Sequence, residues 1–375
     1  MNILWLPHAP LRVGRARSDH LIERLARRHD VTVLSFRIHP PDCPWRYLAD
    51  LLSHRSRRGT PYDELALRRF PKLIALNSWL LNRTIRHESS RRQYDVLVAA
   101  AVPYLTGYLD FTALSGRMPV VCDYLDGADW ARDLRERAFE QLYVRSAAAV
   151  LCVSRGLLEQ AQSVNPHSYY VPNGVELARY RAFRQSHTTR ECKAAVGIDP
   201  DAYVVSIIGM TCSPRLYFVD AVTSLARKGK KIVLLLVGES PLLLEIRRRA
   251  GESQDAVRVI GGVPYDEVMP YFMASDLGLS AVDDHAYYHF QSPLKIFEYG
   301  AMGKPVLAAP ATDELVAMNL SHVRFCDAHA ESLERHIEHI MAAGDVITEP
   351  ALEAYDWDHL AGKVEAILSR VSAKT

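Results

Sequence analysis

Short apolar runs alternate with amphipathic stretches along most of the chain, and that alternation predicts its architecture. Strand-like runs fall at 2–6 (NILWL), 31–35 (VTVLS), 94–101 (YDVLVAAA), 118–122 (MPVVC) and 148–154 (AAVLCVS). A second series follows at 203–209 (YVVSIIG), 231–237 (KIVLLLV), 257–262 (VRVIGG), 276–280 (DLGLS) and 306–309 (VLAA). Helical periods lie between them: Leu21, Ile22, Leu25 and Ala26 make one stripe, which Ser18 or Asp19 can cap. Further helices are predicted over 132–146, 155–162, 218–227 and 266–273. Strand, loop, helix, strand, repeated in two series, predicts two doubly wound α/β domains. In such sheets ligands sit beyond the carboxyl ends of the strands, so the loops at 7–17, 123–130, 210–217 and 281–291 are expected to face the site.

The segment 289–310, HFQSPLKIFEYGAMGKPVLAAP, stands out within this frame. Ser292 suits an N-cap, Pro293 suits the first helical position, and Leu294, Phe297 and Ala301 share one apolar face. Gly303 suits the position after the last turn, and Pro305 prevents continuation. A helix start of this kind offers backbone N–H groups and a positive dipole end to an anion. Lys295 and Glu298 lie on its polar side. Taken alone they read as an ordinary i,i+3 ion pair, worth about 0.2–0.5 kcal/mol.

Taken whole, the segment resembles the signature of the retaining "group 1" glycosyltransferases (family 4), in the subgroup with a pattern near S-P-L-K-x-F-E-Y-x-A-x-G-K-P-V. The stretch 169–175, YYVPNGV, is similar to the same family's V-P-N-G-V segment; its Asn173-Gly174 pair reads as a structural turn needing positive φ. The resemblance implies a GT-B fold: two Rossmann-like domains, 1–182 and 183–350, facing across a cleft, with a final helix in 351–375 crossing back to the first. It implies transfer of a sugar from a nucleotide-diphosphate sugar to an acceptor hydroxyl, with retention, no cofactor and no metal.

Site roles follow from the same likeness. Lys295 and Arg215 would meet the leaving diphosphate, with backbone donors at Leu294 and Ile296 behind Ser292 and Pro293. Glu298 would accept from the ribose hydroxyls, and Val263 would border the base. Gly14, Gly209 and Gly238 are the expected glycine positions beside the donor, and His289 an expected sugar contact. Asp126 is the closest match to a V-x-D-x-x-D stretch, and it serves either the sugar or the N-terminus of the following helix. Arg12, Arg15 and Arg17 are either acceptor contacts or solvated loop charges. The chain also departs from the pattern: no lysine follows Arg215 in register, Ser240 replaces a glycine, and Phe290 stands where the wider family has a first Glu.

Composition adds little except in one region. Net charge is +1 over 375 residues, which implies no global polyanion partner. The six cysteines are scattered, and no apolar run approaches the ~18 residues of a membrane span. With an N-terminus unlike a signal peptide, a cytoplasmic protein is expected, peripheral at most on the inner membrane face. Residues 40–93, however, hold eleven Arg or Lys against five acids, interleaved with Trp45, Tyr47, Phe70 and Trp79. That surface, 46–92, suits an anionic acceptor (lipid phosphate, membrane face or nucleic acid) or is a helical insertion with a solvated basic rim. Two rival functions remain open: a same-fold nucleotide-sugar epimerase using Asp123 and Asp126, and a degenerate GT-B protein binding an anionic polymer.

Overall fold

A computed structural model describes residues 1–9, 11, 15–36, 60–67, 73–100, 107–114, 116–125, 134–209, 215–280, 292–309, 313–344 and 350–373. The apolar runs become parallel strands because they are covered on both faces; Ile3, Leu4, Trp5 and Leu6 all have zero exposure. The first sheet has seven strands in the order β3-β2-β1-β4-β5-β6-β7. These are β1 Asn2–Leu6, β2 Asp30–Ser35, β3 Asp63–Ala66, β4 Val96–Ala100, β5 Val120–Tyr124, β6 Ala149–Cys152 and β7 Ser168–Tyr170. Trp5 of β1 pairs with Val33 on one side and Val98 on the other. The second sheet has six strands, β10-β9-β8-β11-β12-β13. They are β8 Tyr203–Ile208, β9 Ile232–Val237, β10 Val257–Ile260, β11 Leu277–Ser280, β12 Val306–Ala308 and β13 Val323–Phe325.

The chain divides into two units, Met1–Pro172 with Trp357–Thr375, and Asn173–Asp356. The division therefore lies at 172/173, ten residues before the expected 182. The reason is local. Val175 donates its N–H to Tyr355 O (2.9 Å) and bridges to Asp356, and Leu177 N–H bonds Asp356 Oδ2 at 3.1 Å. Two helices, Leu177–Ser186 and Thr189–Ala195, follow this division, with Tyr180 and Cys192 in the second unit's core. The terminal helix Trp357–Ser372 belongs to the first unit. Trp357 stacks on His20 at 4.8 Å, Arg24 pairs with Asp358 at 2.7 Å, and His29 bonds Glu365 at 2.9 Å.

Each sheet has a switch point where strand order reverses. In the first it lies between β1 and β4; in the second, between β8 and β11. Binding is expected beyond the carboxyl ends of these strand pairs.

Candidate functional site

The signature helix runs Leu294–Ala301, and its cap is Pro293 (φ −68°, ψ 120°) rather than Ser292. Ser292 has another task. Its Oγ accepts from the Asn173 N–H at 3.3 Å, and its carbonyl accepts from Asn173 Nδ2 at 2.6 Å. Asn173 thus holds the chain leading into the helix. Neither Asn173 nor Gly174 has positive φ, so the pair is not the left-handed turn expected from Asn-Gly. The helix lies close against the second sheet: a side chain at Gly278 of β11 would meet the Tyr299 ring at 2.6 Å. Tyr299 in turn shares a 2.7 Å hydrogen bond with Ser206 Oγ of β8. Gly303, at φ 70°, ends the helix, and Lys304 N–H closes back on Tyr299 O at 2.9 Å.

This packing sets Lys295 at the switch point. Its ammonium lies 3.7 Å from where a Cβ on Gly209 would stand, at the carboxyl end of β8. Gly209 (φ 105°) and Gly238 (φ 125°) are neighbours here; a Cβ on Gly238 would strike Gly209 O at 2.5 Å. The Gly238 N–H reaches Ile260 O at 3.1 Å, which ties the ends of β8, β9 and β10 together. Val263 follows β10, half-buried against the core. The Ile296 side chain is fully buried, and its N–H reaches Pro293 O at 3.3 Å. Leu294 and Lys295 occupy the first two helical positions. Arg215 is exposed just before the helix Tyr217–Arg227, where buried Leu216 takes a left-handed turn (φ 49°).

Glu298, one turn after Lys295, accepts from the Tyr180 hydroxyl at 2.7 Å. Burial pushes its carboxyl up from 4.5 to about 7, against the pull of that hydrogen bond and of Lys295. Tyr180 is fully buried and edge-on to Phe272, at 5.9 Å between centroids. Its hydroxyl also meets that of Tyr265. Arg179 lies 5.3 Å over the Tyr265 ring and pairs with Glu176 (3.1 Å) and Asp266 (3.0 Å). Nothing in the local pattern of 176–200 singles out Tyr180, because its partner is 118 residues away.

In the first unit Arg15 and Arg17 have different partners. Arg15 pairs with Glu23. Arg17 is 2% exposed; its Nε donates to Asp123 Oδ1 at 3.1 Å and its Nη1 to Pro172 O at 2.8 Å. The guanidinium is thus a buried cation paired with Asp123, and among the described residues its Nη2 has no hydrogen-bond partner. Asp123, at the end of β5, is wholly buried. His8, just past β1, shares a 3.1 Å hydrogen bond with Ser18, and burial lowers its pKa. Arg12, Gly14, Asp126 and His289 lie outside the described residues, as does much of 46–92. The described part of that surface is the helix Ile74–Arg91, flanked by β3. Trp79 is 50% exposed with Arg83 lying 5.1 Å over its ring. Among the described residues no helix is long and apolar enough to cross a membrane.

Two parallel, doubly wound units, the second with a cation and a carboxylate at its switch point, define a GT-B-type fold. Sequence profiles give the family. Residues 17–179 match that of Glycosyltransferase Family 4, and residues 204–343 match that of the Glycosyl transferases group 1. With the fold, these two matches make the chain a GT-B glycosyltransferase. No curated protein sequence matches it. Similar solved structures include a sucrose-phosphate synthase from Thermosynechococcus elongatus, at 15% identity and TM-score 0.67, covering 100% of this chain and 97% of that one. Anabaena HepE in complex with UDP and glucose has 15% identity and TM-score 0.65, covering 100% and 99%. The UDP-GlcNAc 2-epimerase of Neisseria meningitidis, bound to UDP-GlcNAc, has 12% identity and TM-score 0.62, covering 99% and 100%. At these identities the likeness is one of fold.

Proposed function

We propose that the chain transfers a sugar from a nucleotide-diphosphate sugar to an acceptor hydroxyl with retention of configuration. The observation that carries this is the Lys295 ammonium beside Gly209 at the β8–β11 switch point, with the Glu298 carboxylate one turn on. Breaking the bond between sugar and diphosphate puts charge on the leaving oxygen. Lys295, the start of the helix and Arg215 meet that charge, and no metal is needed for it. Glu298 accepts from the ribose hydroxyls. The leaving phosphate itself can take the acceptor's proton, so no protein nucleophile or base is required. A co-substrate of this kind agrees with the UDP found in HepE.

We assign an anionic acceptor to the first unit, whose helix Ile74–Arg91 exposes Trp79, Arg83, Arg86 and Arg91. The epimerase reading, by contrast, needs carboxylates free for proton chemistry, and Asp123 is buried against Arg17. Calorimetric titration with a panel of nucleotide sugars is the test. One of them should bind, and Lys295→Ala should weaken it about 10- to 100-fold, the worth of a hydrogen bond to a charged group. An unchanged affinity in the variant refutes the donor site. The anomeric coupling of the product, read by NMR, decides retention.

A further inference from the structure

We infer that Tyr180 is a positioning residue of the donor site, whose hydroxyl aims the Glu298 carboxylate at the donor's ribose. The role presupposes the donor-site reading. Its geometry does not. The hydroxyl lies 2.7 Å from Glu298 Oε1, and no other described hydrogen bond reaches that carboxylate. The ring is fixed on all sides, with zero exposure and an edge-on contact to Phe272, itself edge-on to Tyr299 on the signature helix at 4.8 Å. A rigid phenol holding one carboxylate oxygen leaves the other without a described hydrogen bond, available for recognition of a vicinal diol. Such pre-orientation lowers the ordering needed when ligand binds.

The same contact sets the charge Glu298 carries. Only the ionised carboxylate accepts from both ribose hydroxyls; the protonated acid must spend one oxygen as a donor. Several groups bear on its protonation. Tyr180 and Lys295 favour the anion, as does Arg179. Burial and Glu176 oppose it. Tyr265, hydrogen-bonded to Tyr180, and Tyr299, next on the helix, both feel the Glu298 charge. Without the Tyr180 hydroxyl the balance tips towards the acid.

Affinity for a nucleotide sugar, whose doubly esterified diphosphate does not titrate near neutrality, therefore rises with pH through Glu298's midpoint near 7. The probes are UDP-glucose, GDP-mannose and ADP-glucose, titrated from pH 5.5 to 9; the tightest is carried into the variants. Tyr180→Phe keeps the ring and should move the midpoint up by about one pH unit, with about fivefold weaker binding at pH 7 that recovers towards pH 9. Tyr265→Phe should move it the same way by less, and decides the matter if Tyr180→Phe does not fold. In a Glu298→Gln background the midpoint should vanish, and Tyr180→Phe should add no pH dependence. A Tyr180→Phe midpoint equal to wild type overturns the role of Tyr180. No binding of any probe by the wild type overturns the donor reading beneath it.

Discussion

Replacing Glu298 by Gln removes one charge, keeps the side-chain size, and leaves an amide oxygen to accept from Tyr180. Burial makes the ionised Glu298 carboxylate unfavourable to the empty protein. Its rise from 4.5 to about 7 corresponds to about 3 kcal/mol at about 1.4 kcal/mol per pH unit. The part of the side chain still open to water reduces the expected cost to about 2 kcal/mol. The sign follows from linkage. The folded pKa is above the unfolded one, so the folded state holds the extra proton between pH 4.5 and about 7. The wild type therefore keeps its full stability below pH 4.5 and loses the Glu298 share as pH rises through 7, while Glu298→Gln loses nothing. Thermal unfolding of both proteins without ligand, from pH 4 to 9, reads this difference. It should be near zero at pH 4, grow between 4.5 and 7, and level off with the variant about 4–8 °C more stable. The same variant should bind nucleotide sugar less tightly. A difference that does not vary with pH, or a variant less stable than wild type at pH 8.5, would refute the reasoning.

Two further substitutions test the scaffold. Gly238→Ala puts a Cβ 2.5 Å from Gly209 O at a backbone angle (φ 125°) that only glycine adopts readily, so it should destabilise the second unit by about 2 kcal/mol or more; an unchanged melting curve would contradict the packing of the β8 and β9 ends. Arg17→Met leaves Asp123 buried without its cation and should cost about 3–5 kcal/mol in chemical denaturation, with most of it recovered in Arg17→Met/Asp123→Leu; a loss under about 1 kcal/mol in the single variant would show that the pair is not what holds this end of β5.

The strands that position both switch points were legible because each is a mainly apolar run, buried on two faces and bounded by polar or glycine-containing loops. Of the edge strands, β10 was legible, but β3, β7 and β13 were not. β3 (DELA) carries two acids, and β13 (VRF) has a central arginine that is exposed. A half-covered edge needs only alternation over three or four residues, too short to separate from loop. The signature helix was legible to within one position. Ser292 outranks proline as a cap by propensity, but here its Oγ is taken by Asn173 from a distant segment, and the helix starts one residue later.

That same long-range logic governs what the site kept hidden. Lys295 and Glu298 announce themselves by type and spacing, and a helix start is an anion site wherever it occurs. What aims them is different in kind. Asn173 and Tyr180 reach Ser292 and Glu298 across 119 and 118 residues, from a segment whose own pattern is a turn and a polar helix. A tyrosine in a helix such as LARYRAFRQS reads as one more amphipathic position until its neighbour in space is known. Arg17 shows the converse: in a loop with three arginines and one glycine it reads either as an acceptor contact or as a solvated charge, yet it is 2% exposed beside an aspartate 106 residues away. Charge and hydroxyl groups gain their roles from the partner that desolvates or pairs them. Sequence spacing supplies that partner only when it lies on the same helix or strand. It is therefore the side chains facing the signature helix from 173–180, more than the signature itself, that distinguish the proposed donor site in physical terms.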